Sequence, residues 1–186
     1  MTIGERIPRG EIVEECDAMF EVFDLPTDEG TLLAILKDCF EEWEHIHIGP
    51  LIPGAIWEIR PPHKPSITMR DGYATVDFQD WHFHICIGEH KGAHPEIAKL
   101  RRTGRVELYR RLSRDEQPTS WRLRFLNGAG DQQITFMLPS PLLTDDLQIM
   151  EEPDWARLAL WDRLRRRYLG IGSDHLDRTA RRLSHG

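Results

Sequence analysis

The sequence predicts an α+β fold in which a mostly antiparallel β-sheet is covered on one face by N-terminal and C-terminal helices. Two observations lead to this fold class. Apolar residues recur every three or four positions near both ends of the chain, as in amphipathic helices. Between residues 56 and 138 the apolar period changes to two, and turn-forming residues separate short alternating runs. We expect a single domain over residues 1–186, because a chain of this length encloses one core.

Residues 1–50 are predicted to form a helical N-terminal segment. A first helix is expected over residues 11–23, with Pro26 beyond its end. A second helix is expected to begin at Thr27 or Asp28, since both side chains accept hydrogen bonds from a first helical turn. The apolar face of this helix is expected to consist of Leu32, Ile35, Leu36, Cys39, Phe40 and Trp43.

Residues 56–138 are predicted to form the antiparallel sheet. The expected strands cover residues 57–60, 66–70, 73–78, 81–87, 105–111, 121–126 and 132–138. The dipeptide Asp71-Gly72 favours a two-residue type I′ turn between two of these strands. A meander of neighbouring strands is therefore the simplest arrangement of the sheet.

A C-terminal helix is predicted over residues 153–170, with Gly170 at its end. Its apolar residues recur at helical spacing and are Trp155, Leu158, Trp161, Leu164 and Tyr168. Exposure of these side chains on the surface would favour a metal-free interaction module, and a homodimer is then the expected assembly.

Composition and charge exclude several classes of protein. The formal net charge of −7 argues against a general nucleic-acid binder, because phosphate contacts require a basic surface. No apolar stretch approaches the roughly 20 residues that a bilayer span requires, so no membrane partner is expected. The N-terminal residues lack the features of a signal peptide, which predicts a cytoplasmic protein. We therefore expect the three cysteines to be reduced: Cys16, Cys39 and Cys86.

Four of the nine histidines and one cysteine fall within residues 82–94, and this cluster is the predicted functional site. Alternate side chains of a strand face opposite sides, so His82 and His84 share one face while Phe83 faces the core. Imidazole and thiolate groups are preferred ligands of zinc and copper. The candidate metal ligands are His82, His84, Cys86, His90 and His94, with Cys86 or His94 in the fourth position. Glu89 is the candidate general acid or base.

Part of this cluster resembles a motif of the cupin family. His82-Phe83-His84 followed by Glu89 is similar to the first cupin metal motif, whose His-x-His and Glu residues bind a metal inside a small β-barrel. The resemblance implies a metal site on these residues. It covers a fraction of the chain, and no second cupin motif with its additional histidine follows.

The segment from His84 to His94 is also similar to the copper loop of cupredoxins. In this resemblance His94 stands where the family has an axial methionine, and about ninety residues follow where a cupredoxin ends. The copper ligands that the resemblance implies are Cys86, His90 and either His45 or His47.

Strand alternation further predicts an arginine-rich sheet face. The residues expected on this face are Arg60, Arg70, Arg122, Arg124, His82 and His84. Guanidinium groups bind carboxylate or phosphate through paired hydrogen bonds, so such a face suits a small anionic molecule. The four arginines are therefore candidate ligand-binding residues.

The cluster supports two functional hypotheses. The first is a metal-dependent enzyme acting on a small anionic molecule, in which an open coordination position activates water or polarises the substrate. The alternative is a non-catalytic carrier of a metal or of haem, or an accessory protein for a metalloenzyme. Three protein ligands with a water favour the enzyme, and four protein ligands favour the carrier. The expected metal is a divalent transition metal, namely zinc, copper or iron.

Overall fold

The structure is a computed structural model that describes residues 10–15 and 18–180. Its strands are β1 (Glu11–Glu15), β2 (Ala18–Leu25), β3 (His47–Gly49), β4 (Leu51–Ile52), β5 (Ala55–Ile56), β6 (Ser66–Arg70), β7 (Tyr73–Asp77), β8 (His82–Cys86), β9 (Thr103–Leu112), β10 (Pro118–Asn127) and β11 (Gln132–Met137). Its α-helices are α1 (Glu29–Glu41), α2 (Pro95–Arg101) and α3 (Ala159–Leu169). Short 3-10 helices cover Trp43–His45, Trp155–Leu158 and Leu176–Arg178.

An antiparallel sheet of six strands forms the centre of the fold, in the order β1-β2-β9-β10-β11-β3. A second antiparallel sheet has the order β6-β7-β8, and β4 pairs with β5 as a small hairpin. The α+β prediction is confirmed. The expected continuous meander is wrong, because within the described residues β6, β7 and β8 pair with one another and form a sheet of their own.

The core lies between the six-stranded sheet on one side and α1, α3 and the three-stranded sheet on the other. Phe40 of α1 joins these layers. Its ring lies edge-on to Phe136 of β11, with centroids 5.4 Å apart, and edge-on to Phe78 after β7, at 5.5 Å. Helices from both ends of the chain therefore cover the apolar sheet face, as the sequence predicts.

The second predicted helix is confirmed as α1. Asp28 caps it, since its carboxylate accepts a hydrogen bond from the Thr31 backbone N–H at 2.9 Å. The side chains predicted for its apolar face are buried or pack against the core, and they are Leu32, Ile35, Leu36, Cys39, Phe40 and Trp43.

The C-terminal helix is confirmed as the 3-10 turn Trp155–Leu158 followed by α3, and Gly170 ends it with a φ of 68°. Its apolar side chains face the core: Leu158, Trp161 and Leu164 are buried. This helix therefore lacks the exposed apolar surface that would favour an interaction module. Within the described residues, no helix has the length and apolar character needed to cross a membrane.

The first predicted helix is wrong: residues 11–15 and 18–25 form the strands β1 and β2. Both faces of β2 carry apolar side chains, because Val22 and Phe23 are each buried although they point to opposite sides. A strand buried on both faces has no alternating pattern, and its apolar residues then also fit a helical spacing. Cys16 lies outside the described residues.

The strand expected at residues 57–60 is wrong, since β5 ends at Ile56 and Ile59 makes an isolated bridge to Ile48. The turn at Asp71-Gly72 is confirmed. Its two residues have φ values of 47° and 78°, the positive values that a type I′ turn requires.

A buried charge network ties the C-terminal segment to the six-stranded sheet. Asp177 is fully buried and accepts hydrogen bonds from Arg110 of β9 at 2.6 Å and from the Trp121 and Trp161 ring nitrogens at 2.7 and 2.8 Å. Arg165 of α3 lies 3.4 Å from the same carboxylate. Burial opposes the charged form of Arg110, but its carboxylate partners outweigh this effect, and its pKa is raised.

Candidate ligand-binding site

Strand β8 lies at the edge of the three-stranded sheet and places its histidines as predicted. His82 and His84 are exposed on the outer face, with ring centroids 5.0 Å apart. Phe83 and Ile85 point to the opposite face and pack against the core. The alternation inferred from the sequence is therefore confirmed for this strand.

His84 is held by a hydrogen bond across the sheet. Its Nδ1 lies 2.8 Å from the Thr75 hydroxyl, and Thr75 is its directly paired residue on β7. This contact fixes the ring and leaves Nε2 as the nitrogen able to bind a ligand.

Cys86 is buried at the end of β8, where its thiol lies 3.7 Å from the Gly88 carbonyl oxygen. Burial raises the pKa of the Cys86 thiol, and a hydrogen bond with Tyr73 opposes this shift. The protonated thiol is therefore favoured, whereas metals bind the thiolate.

The remaining predicted ligands lie beyond β8, in the loop towards α2. His90 contacts the hairpin turn, with Nε2 3.4 Å from the Asp71 carboxylate and its ring edge-on to Tyr73 at 5.1 Å. Its Nδ1 is buried and has no hydrogen-bond partner among the described residues. Glu89 is exposed, and His94 is exposed at the N-cap of α2.

Across residues 10–15 and 18–180, no three His, Cys, Asp or Glu side chains form a group that could hold a metal ion. The roles given to His82, His84, Cys86, His90 and His94 as metal ligands, and to Glu89 as acid or base, stay predictions.

The expectation of one arginine-rich face is wrong. Arg122 and Arg124 belong to β10 of the six-stranded sheet, whereas Arg70 belongs to β6 of the three-stranded sheet with the two histidines nearby on β8. Arg124 pairs with Glu107 and lies 5.0 Å above the Tyr109 ring, and Arg60 pairs with Asp146 at 3.0 Å. The error came from treating all strands as one sheet.

The second histidine pair lies at a different place. His45 Nδ1 is 2.8 Å from Asp145, and both His45 and His47 line a small pocket of about 80 Å³ with Glu58 and Arg157. His84 does not belong to this pocket. The pair therefore does not complete a site with the histidines of β8.

The structure places His84 instead on the wall of a pocket of about 500 Å³. This pocket, called the β8 pocket below, lies between the free edge of β8 and the β3-β11 edge of the six-stranded sheet. Most of its wall is apolar, formed by Ile48, Ile59, Tyr73, Trp81, Phe83, Ile85 and Ile134. Its polar residues are His84, Arg101, Asn127 and Gln133.

A chain of hydrogen bonds fixes the wall of the β8 pocket. The Thr103 hydroxyl lies 3.0 Å from the Cys86 carbonyl oxygen and 2.8 Å from Gln133 Oε1. Gln133 in turn donates to the Arg101 carbonyl oxygen at 3.0 Å. The end of β8, the end of α2 and strand β11 are therefore held together around the pocket.

Sequence reasoning did not assign Arg101 and the aromatic wall residues to a site. Phe83 is predicted to face the core, but Phe83 and Trp81 are both only partly buried, and both line the pocket. The available signal was the Arg101-Arg102 pair at the end of α2. Its position alone does not distinguish a solvated helix end from a ligand-binding group.

Three comparisons with known proteins accompany this geometry. No curated protein matches the chain. The chain is similar to a solved structure described as the heme binding protein ChuX, with 16% sequence identity and a TM-score of 0.48 over 77% of this chain and 74% of that chain. Residues 11–170 match a family model described as a family of unknown function, DUF7676, and the chain therefore belongs to this family.

Proposed function

We propose that this protein is a non-catalytic haem carrier, and that the β8 pocket holds the haem. The observation that supports the proposal is the lining of this pocket, which is largely aromatic and aliphatic and also includes His84 and Arg101. This is the side-chain chemistry that a flat apolar ring system with an iron atom and carboxylate groups requires.

The size and lining of the β8 pocket fit an organic ligand. Pockets for such ligands are typically about 300–1,000 Å³ and mostly apolar, with a few polar groups that fix orientation. Phe83 lies on the core-facing side of the sheet and Tyr73 on the side that carries His84, so rings from both sides of the sheet edge offer flat apolar surface to the pocket. A planar ligand buries its faces against such side chains.

His84 is the residue that would hold the iron. Thr75 engages its Nδ1, so Nε2 is available to bind iron. Haem iron already has four porphyrin nitrogens and needs one or two ligands from the protein. A free divalent ion needs three or four, and the described residues do not bring three together. The carrier hypothesis thus requires fewer ligands than the metal-dependent enzyme.

Arg101 supplies a positive charge for the carboxylate groups of the haem. Its backbone is fixed by Gln133, and its guanidinium can donate paired hydrogen bonds to a carboxylate at the pocket rim. We expect Arg101 to orient the carboxylate side of the ligand, while the apolar wall takes the ring system.

Titration of hemin into the purified chain, followed by the Soret absorbance, tests the proposal. Hemin is expected to bind at one equivalent. His84→Ala is expected to remove the iron–imidazole signature and weaken binding at least about tenfold, which corresponds to 1.4 kcal/mol or more. His82→Ala is the matched control, because this neighbouring ring lies on the same strand but does not line the pocket.

Metal-free protoporphyrin IX separates ligation from pocket binding. His84→Ala is expected to bind protoporphyrin IX as the wild type does, because this ligand has no iron for the imidazole to bind. Phe83→Ala is expected to weaken the binding of both hemin and protoporphyrin IX. Equal hemin spectra and affinities for the wild type and His84→Ala would refute His84 as the ligand. Failure of the wild type to bind either porphyrin would refute the carrier function.

A further inference from the structure

A second pocket, of about 590 Å³, is lined by other residues of α2 than the β8 pocket. The loop after β8, one side of α2 and the start of β9 enclose it, together with Gly128 from the β10-β11 turn. Its charged residues are Lys91, Lys99, Arg102 and Glu89. We refer to it as the α2 pocket.

The α2 pocket brings together three cations that carboxylates of the described residues do not neutralise. Lys91, Lys99 and Arg102 form no ion pair with a carboxylate in the part of the chain that the structure describes. Arg102 is unpaired although its side chain is half-buried. Arginines that do pair with carboxylates elsewhere in the fold are Arg60, Arg105, Arg110, Arg124, Arg157, Arg163, Arg165, Arg167 and Arg178.

Backbone contacts fix the main chain that carries these cations. The Gly128 N–H donates to the Leu100 carbonyl oxygen at 3.0 Å, which locks the end of α2 to the β10-β11 turn. A Cβ atom at residue 128 would lie 2.2 Å from the Lys99 carbonyl oxygen, so only glycine permits this close approach. On the opposite wall, Asp71 accepts hydrogen bonds from the backbone N–H groups of Lys91 and Gly92, at 2.8 and 3.2 Å.

From this cationic and preorganised pocket we infer a second ligand site, which takes a small molecule bearing a phosphate group. Three positive side chains face one carboxylate, that of Glu89, so the local balance is positive although the whole chain carries a net charge of −7. Arg102 donates paired hydrogen bonds to phosphate oxygens, and the two lysines add positive charge. The volume leaves room for an organic group attached to the phosphate.

Isothermal titration calorimetry with inorganic pyrophosphate, on the full chain, tests this site. Wild-type binding is expected to weaken as sodium chloride is raised, because salt screens exposed charges. Arg102→Gln and Lys99→Gln are each expected to weaken binding about tenfold, as the loss of one charge-assisted hydrogen bond does. Glu89→Gln is expected to tighten binding, because it removes the carboxylate that repels the ligand.

Arg101→Gln is the matched control, because Arg101 is the next residue but lines the β8 pocket. Arg101→Gln is expected to leave pyrophosphate binding unchanged and to weaken hemin binding. Arg102→Gln is expected to weaken pyrophosphate binding and to leave hemin binding unchanged. The two proposals therefore fail independently. Absence of binding at millimolar pyrophosphate, or equal affinity of Arg102→Gln and the wild type with both folded by circular dichroism, would overturn the α2 site.

Discussion

His47 shows at the residue scale how burial couples ionisation to stability. It lies on β3 with 8% of its surface exposed. Burial lowers the pKa of the His47 imidazole, and the nearby Glu58 carboxylate offsets this effect in part. The unfolded chain keeps an ordinary histidine pKa near 6.5, so the unfolded state binds more protons as the pH falls below that value. The contribution of His47 to stability is therefore lost from about pH 6.5 downwards.

We predict that His47→Gln flattens the pH dependence of unfolding. Glutamine has no proton to gain, so the decrease in the free energy of unfolding between pH 7 and pH 5 is expected to be smaller than in the wild type. Urea denaturation at several pH values measures this decrease. His175→Gln serves as the control, since His175 is exposed, and an equal change in slope for both variants would contradict the prediction.

Residue-level predictions succeeded where they depended on neighbours in the sequence. The outward position of His82 and His84 follows from strand alternation alone. Arg101 lies a loop and a helix away from His84, and nothing in the local pattern indicates that both side chains line one pocket. Their common location depends on contacts of Gln133, which belongs to the other sheet.

At the scale of elements, the turn between β6 and β7 supports the sheet that contains β8. Gly72 has a φ of 78°, and its carbonyl oxygen accepts hydrogen bonds from the N–H groups of Ile87 and Gly88, at 2.9 and 2.8 Å. A Cβ atom at this position would lie 2.6 Å from the Glu89 backbone. The glycine is therefore required both for the positive φ and for the close approach of the chain after β8.

We predict that Gly72→Ala destabilises the fold by about 2–4 kcal/mol, through backbone strain combined with this clash. Gly54→Ala is the control, since Gly54 has a φ of 85° but a Cβ there meets no atom within 4 Å. Gly54→Ala is expected to lower the free energy of unfolding by about 1 kcal/mol, from the strain of the positive φ alone. Thermal and urea unfolding measure the stability of both variants. Equal losses of unfolding free energy would show that the contact of residue 72 with residues 88–89 is unimportant.

Element predictions were accurate where one face of an element is exposed. Helix α1 and the strands β6, β7 and β10 show clear periodicity because their less buried residues mark one side. Strand β2 was assigned to a helix because Val22 and Phe23 are both buried, which removes the alternation. The assignment of strands to two sheets was also missed, since periodicity identifies strands but not their partners.

At the scale of the whole molecule, the charge network around Asp177 fastens the last part of the described chain to the central sheet. Its four contacts reach β9, β10 and α3. The polar composition of this part of the chain does not reveal the attachment, because Asp177 is buried against arginines of other elements. Each buried arginine needs a carboxylate partner inside the protein.

We predict that Asp177→Ala lowers the free energy of unfolding by about 3–5 kcal/mol, because Arg110 and Arg165 then stay buried with fewer compensating charges. Asp80→Ala is the control. Asp80 has a side chain that is 74% exposed, and its ion pair with His63 spans 3.9 Å, so a change within about 0.5 kcal/mol is expected. Chemical denaturation measures the free energy of unfolding of both variants. Similar values for Asp177→Ala and Asp80→Ala would exclude a stabilising role for Asp177.

The position of this network has a practical consequence for domain boundaries. The family match ends at residue 170, whereas Asp174 and Asp177 follow that limit. A shortened chain that ends at Gly170 would retain both guanidinium groups in the interior but lose the two aspartates that neutralise them. Expression of this chain trimmed to the matched region is therefore expected to yield aggregated protein, and extending the cloned segment through Ala180 restores the missing counter-ions.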